Sequence, residues 1–219
     1  MGLNLAGIAI DKNFSKNIEQ LGEAFEWAID IIDESEFGKS MSIFSSNDKD
    51  IFYVYFTDSG TLILNPYEWA IEEYHPTDAK SLCFAFSETT MNFFFSYQHQ
   101  ISKFRTFIED EGKKTREMGE PLEIEKQFPE ASQLIFKLIE DLIGTSFHSI
   151  GFNEFVHKCK RLSHQEYMRR SEEILQREME IEKRKNDERT EKYMKELGLD
   201  PKEVEKQLSK KKKWWEIRK

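Results

Sequence analysis

Two cysteines in 219 residues are too few for a disulfide framework. Cys83 lies in an apolar run and Cys159 on the apolar side of a helix-like stretch, so both read as buried free thiols. No CxxC occurs, and the five histidines (His75, His99, His148, His157, His164) contain no pair with zincin spacing. Neither a metal nor a cofactor is expected. Long apolar runs are also missing, so no segment reads as a membrane span. Asp11 and Lys12 follow Ile10 directly, which argues against a secretory leader, and Ala6 stands where an N-myristoylation motif needs Ser or Thr. Asn13-Phe14-Ser15 matches a glycosylation acceptor, which has no meaning without secretion. We expect a cytoplasmic protein. Gly38-Lys39-Ser40 ends like a phosphate-binding loop, but Asp33 occupies the position of the glycine that loop requires.

What the chain has in quantity is charge, 33% of residues, against 38% apolar, a balance that suggests part of it builds no core. From Lys160 onward 19 Lys and Arg face 14 Asp and Glu, leaving 13 against 27 in the first 159 residues. An acidic body therefore carries a basic tail. Such a body disfavours nucleic acid and attracts basic partners.

The body is organised around Ser81 to Gln127. In Met91–His99 the residues Met91, Phe93, Phe95, Tyr97 and His99 alternate with Asn92, Phe94, Ser96 and Gln98, the period of two of a strand. Leu82–Phe86, Ile101–Ile108 and Lys113–Met118 flank it with breaks of hairpin length, and Gly119-Glu120-Pro121 ends the series. Earlier, Leu3–Ile10 reads as a buried strand, and Asn13 or Ser15 can cap a helix through Phe25. Glu26–Ile32 reads as a strand broken by Asp33-Glu34-Ser35-Glu36, and Met41–Phe44 as a short edge strand. Ile51–Phe56 and Thr61–Leu64 form a hairpin with Gly60 where positive φ is needed, and Tyr67–Tyr74 a short helix. Leu134, Ile135, Leu138, Ile139, Leu142 and Ile143 make the clearest helical stripe, closed by Gly144. Phe152, Phe155, Val156 and Cys159 repeat that spacing and predict a second helix. Residues 1–162 are thus α+β, a largely antiparallel sheet with helices packed on one face.

Residues 163–197 predict a solvated helix. Ser163 and Glu166 make a capping box, and Glu182 to Lys192 contains no large apolar side chain. Acid-to-base pairs four apart (Glu166/Arg170, Glu173/Arg177, Glu180/Arg184, Glu188/Lys192, Glu191/Lys195) each contribute roughly 0.2–0.5 kcal/mol. Such a helix would run on the order of 50 Å. The register of Tyr167, Ile174 and Ile181 fails at Glu188, which argues against a long coiled coil. Residues 198–219 read as a short helix and a basic end, Lys210, Lys211, Lys212, Lys213, Trp214 and Trp215. Lysines beside paired tryptophans suit a partner pocket, a nucleic acid or an anionic membrane surface.

Catalytic patterns are weak. His157 and Cys159 would point to different faces of a helix, and carboxylates at Asp30, Asp33, Glu34 and Glu36, or Glu109, Asp110 and Glu111, fall in predicted turns. General acid–base chemistry needs two carboxyls held in unlike environments, which solvated turns do not supply. Lys103 and Arg105 alone interleave with aromatics, too few for an RNA-binding sheet. The segment Phe104–Glu125, with its charged turn and Gly119-Glu120-Pro121-Leu122-Glu123, resembles a hairpin of uncharacterised small bacterial α+β domains. Some of these look like immunity proteins that neutralise toxins of neighbouring cells. The resemblance implies no catalytic residues. We therefore expect a non-catalytic protein-binding module, with contacts at Asp30, Asp33, Glu34 and Glu36 on the body and Lys210 to Trp215 on the tail. The alternative is a tether in which the tail binds nucleic acid or an anionic membrane.

Overall fold

The structure is a computed structural model and describes residues 2–72, 74–100 and 103–198. The elements follow in the order β1 (Asn4–Ile10), α1 (Ile18–Phe25), β2 (Ile29–Glu36), α2 (Phe37–Ser40), a 3-10 turn (Met41–Ser45), β3 (Ile51–Phe56), β4 (Thr61–Leu64) and α3 (Tyr67–Ala70). Then come β5 (Ser81–Ser87), β6 (Asn92–Gln100), β7 (Lys103–Asp110), β8 (Lys113–Met118), a 3-10 turn (Glu123–Lys126), α4 (Ala131–Ile143), β9 (Phe155–Arg161) and α5 (His164–Glu196). Contacts divide the chain into two units, Met1–Tyr167 and Met168–Lys219.

Among the described residues the strands of the first unit form one antiparallel sheet, ordered β2-β9-β3-β4-β1-β5-β6-β7-β8. The α+β class with a long C-terminal helix is as the sequence predicts. β1 lies in the middle with both faces buried, which explains its unbroken apolar run. Leu5 and Ala9 face one core with Leu62, Leu64, Phe84 and the α4 stripe. Ala6, Ile8 and Ile10 face the other, with Phe52, Val54, Ile63 and Trp69. Each fully buried Leu, Ile or Phe contributes roughly 1.5–3 kcal/mol. Helices cover both faces of the sheet rather than one: the long α4 packs on the first, and the shorter α1 and α3 add Leu21, Phe25, Trp69 and Ala70 to the second.

Local physics accounts for the ends. Asn17, rather than Asn13 or Ser15, caps α1 by accepting the Glu19 N–H at 2.9 Å. Gly144 closes α4 at φ 72°, and Thr57 of the β3–β4 connection donates to the Ile143 carbonyl there. Gly60 does not take positive φ. A Cβ there would lie 2.4 Å from the Ile10 carbonyl oxygen and 2.7 Å from that of Leu142, so close approach is what demands glycine.

Five further readings are corrected. Asp33-Glu34-Ser35-Glu36 does not break β2; a bulge between Ile31 and Asp33 keeps it paired with β9 through Glu36. Met41–Phe44 is a 3-10 turn, not a strand, and α3 stops at Ala70. Phe152 to Cys159 is not a second helix. Residues 155–161 are β9, inserted between β2 and β3, and that pairing overrides the helical spacing of the apolar residues. Finally, Glu109 and Asp110 belong to β7, and Glu111 alone of the three lies in the turn, at φ 50°.

In the second unit, α5 is a helix without a buried residue. Its apolar side chains Ile174, Leu175, Met179 and Ile181 are exposed, so pairing along its own surface, such as Arg169 with Glu173, supports it.

Candidate functional site

The sequence-selected carboxylates fall on β2, which is an edge of the sheet. Register divides them. Asp30 lies opposite Lys160 and Asp33 opposite Lys158, so these two face lysines across the strand pair. Glu34 and Glu36 lie opposite His157 and Phe155, and their face carries no opposing lysine. Glu36 makes an ion pair with Lys39 at 3.3 Å, both ends exposed, which holds little energy. Beside these carboxylates Phe155 is 74% exposed, and Ile31 and Ile32 are each 50% exposed. An edge strand presents unpaired N–H and C=O groups, and acidic side chains on it repel a second copy of the same edge. The arrangement is acidic, apolar in part and accessible.

Phe155, Ile31 and Ile32 escaped the sequence reading. The helical spacing of Phe152, Phe155, Val156 and Cys159 placed Phe155 in a core, whereas on β9 it shares a face with His157. The alternation Phe155, His157, Cys159, Arg161 was the available signal. Lys210, Lys211, Lys212, Lys213, Trp214 and Trp215 lie outside the described residues.

The strand at 155–161 also revises the Cys–His pair. Two apart on a strand, His157 and Cys159 share a face. Cys159 is fully buried, and burial pushes its thiol up to about 12, the reverse of what a nucleophile requires. His75, which lies between α3 and β5, is held down to about 4 by burial. Its Nδ1 bonds Ser81 Oγ at 2.7 Å and its Nε2 bonds Ser96 Oγ at 3.1 Å, and Ser96 reaches Thr106 at 3.3 Å. This hydroxyl–imidazole network stitches β5, β6 and β7.

Two arginines secure the regions behind the sheet edges. Arg161 ends β9 with its guanidinium 3.8 Å from the Trp69 ring centre, 5.5 Å from Trp27 and 5.9 Å from Tyr74. It donates to the Tyr74 hydroxyl at 3.0 Å, and that hydroxyl donates to Glu72. Arg105, on β7, is 2% exposed and holds both Glu125 oxygens at 2.9 Å, with Glu117 at 3.3 Å. No groups of His, Cys, Asp and Glu that could hold a metal ion occur among the described residues. No described helix is long and apolar enough to cross a membrane. No family model matches the chain, and neither a curated protein nor a solved structure does.

Proposed function

We propose that this chain is a non-catalytic, cytoplasmic protein-binding module of the immunity or accessory kind, which takes a basic protein partner on the acidic edge of its sheet. The observation that carries the reading is the placing of Glu34 and Glu36 beside exposed Phe155, on a strand with one edge unpaired. Carboxylates there speed encounter with a lysine- or arginine-rich surface, and the neighbouring apolar side chains supply area to bury. Like charge excludes self-pairing, so the edge selects its partner by sign. The buried, neutral states of His75 and Cys159 fit structural roles.

The test is capture from the native cell by the full chain and by its Glu34→Lys/Glu36→Lys variant. Captured proteins are identified, and the purified partner is titrated. One partner with a basic surface should bind the parent, lose at least about tenfold in affinity to the variant and weaken with salt. Equal capture by both chains sinks this reading. Loss of every interaction on truncation after Gly198, with recovery of nucleic acid or anionic vesicles, supports instead a tether through Lys210 to Trp215.

A further inference from the structure

A second site lies at one end of the central strands, away from any residue used above. Register places Asn4 of β1 opposite Ser87 of β5, and Ser87 opposite Asn92 of β6, so three polar side chains form a row across adjacent strands on one face. They belong to the lining of an open cleft of about 760 Å³. That volume lies within the usual range for small-molecule sites. Sheet positions this far inside the strand order are normally apolar, as Ala6, Ile8, Cys83 and Phe94 on the same face are. The row is polar instead, as are Ser81 and Ser96 farther along the same face, but those two are bonded by His75.

Its polar atoms are not all used by the protein. Asn92 Oδ1 accepts the Glu111 N–H at 3.2 Å and Ser87 Oγ the Thr90 N–H at 3.3 Å. Asn4 Oδ1 is buried without a hydrogen-bond partner. A buried amide oxygen without a partner is costly, and a ligand or water that donates to it relieves that cost.

The rest of the lining narrows the ligand. Phe44 and Tyr67 meet edge to face at 5.5 Å, and Tyr67 keeps 39% of its surface exposed. Lys49 and Glu68, the two charged residues of the lining, are paired at 3.1 Å, so the cleft carries no net charge to select a phosphate. Hydroxyls and amides that both donate and accept, next to an aromatic ring, match adjacent hydroxyls on a ring with an apolar C–H face. We propose that this cleft binds a neutral saccharide, with Tyr67 stacking on the sugar ring and Asn4 bonding its hydroxyls.

The test uses the full chain with maltotetraose, cellotetraose and chitotetraose as probes, read by saturation-transfer NMR and calorimetry. At least one should bind, with salt-independent affinity. Tyr67→Ala should weaken it about tenfold or more, and Tyr67→Phe, which keeps the ring, should retain most of it. Asn4→Ala should weaken binding while Glu34→Lys/Glu36→Lys leaves it unchanged, which separates this site from the acidic edge. Silence from all three probes overturns the proposal. So does binding that survives both Tyr67→Ala and Asn4→Ala in folded protein, or a peptide or oligonucleotide that shifts cleft resonances where the saccharides do not.

Discussion

The two ends of the sheet solve the same problem by opposite chemistry. Near the β8 edge Arg105 is buried against carboxylates, gripped by Glu125 from the 3-10 turn and approached by Glu117 from β8 itself. Near the β2 edge Arg161 is held by aromatic faces, with Trp69, Trp27 and Tyr74 around the guanidinium. The edges differ in sign as well: β8 exposes Lys113, Lys114 and Arg116, whereas β2 exposes Asp33, Glu34 and Glu36. A guanidinium can thus be held by carboxylates through charge, as the buried Arg105 is, or by ring faces through their quadrupole, as the half-buried Arg161 is. The two solutions respond differently to mutation and to pH.

The largest effect is expected at Arg105. Arg105→Met removes the partner of a mostly buried carboxylate and should cost on the order of 3–5 kcal/mol in denaturant unfolding. Glu125→Gln should cost less, because it leaves a neutral acceptor. A loss below about 1 kcal/mol for Arg105→Met would mean that the ion pair is not what holds the β8 side.

Acid should separate the ends next. Unfolded, His75 takes a proton near 6.5; folded, only near 4. The native state therefore binds fewer protons in that window, and stability falls as pH drops through it, by on the order of 3 kcal/mol in full. Tyr74, next in the chain to His75, carries the hydroxyl that receives Arg161. At the other end the Glu117 carboxyl is held below its usual value, by Lys114 first and then Arg105, so that edge keeps its contribution until pH falls below about 4.5. Hydrogen exchange between pH 6.5 and 4.5 should show the Tyr74–His75 loop and the ends of β5 and β6 that His75 bonds loosening before the β8 edge. His75→Gln should flatten the stability curve over this range, and an unchanged slope would remove His75 as its source.

Arg161→Ala should cost roughly 1–2 kcal/mol and change the near-ultraviolet signal of Trp27 and Trp69. If Arg161→Lys restores both fully, simple charge suffices and the planar stacking is not required. The smallest effect is expected on the outer faces. Glu34→Lys/Glu36→Lys should move stability by no more than about 0.5 kcal/mol, since both carboxylates are exposed, even where it abolishes partner binding.

Much of the fold was legible because its cause is local. The β3–β4 and β7–β8 hairpins, the alternation in β6 and the apolar stripe of α4 each record a face that must be buried, with the turn residues between them. The acidic edge was legible only as composition. Asp33 to Glu36 looked like a turn because four polar residues in a row bury nothing; at an edge, with β9 on one side, they need not. Phe155 was missed because one apolar spacing satisfies a helix and, across a different partner, a strand.

By itself, then, the chain determined the α+β class, most strands and two hairpins, α4 with its glycine stop, and the charged helix of 164–196. It did so through periodicities of two and 3.6 and through pairs four residues apart, all of which act over a few residues. Only the tertiary structure decided that 155–161 enters the sheet between β2 and β3, that Arg161 meets three rings drawn from distant segments, and that Asn4, Ser87 and Asn92 share a row. Those outcomes rest on backbone pairing between residues far apart in the chain, and no local pattern records which partner a strand will find.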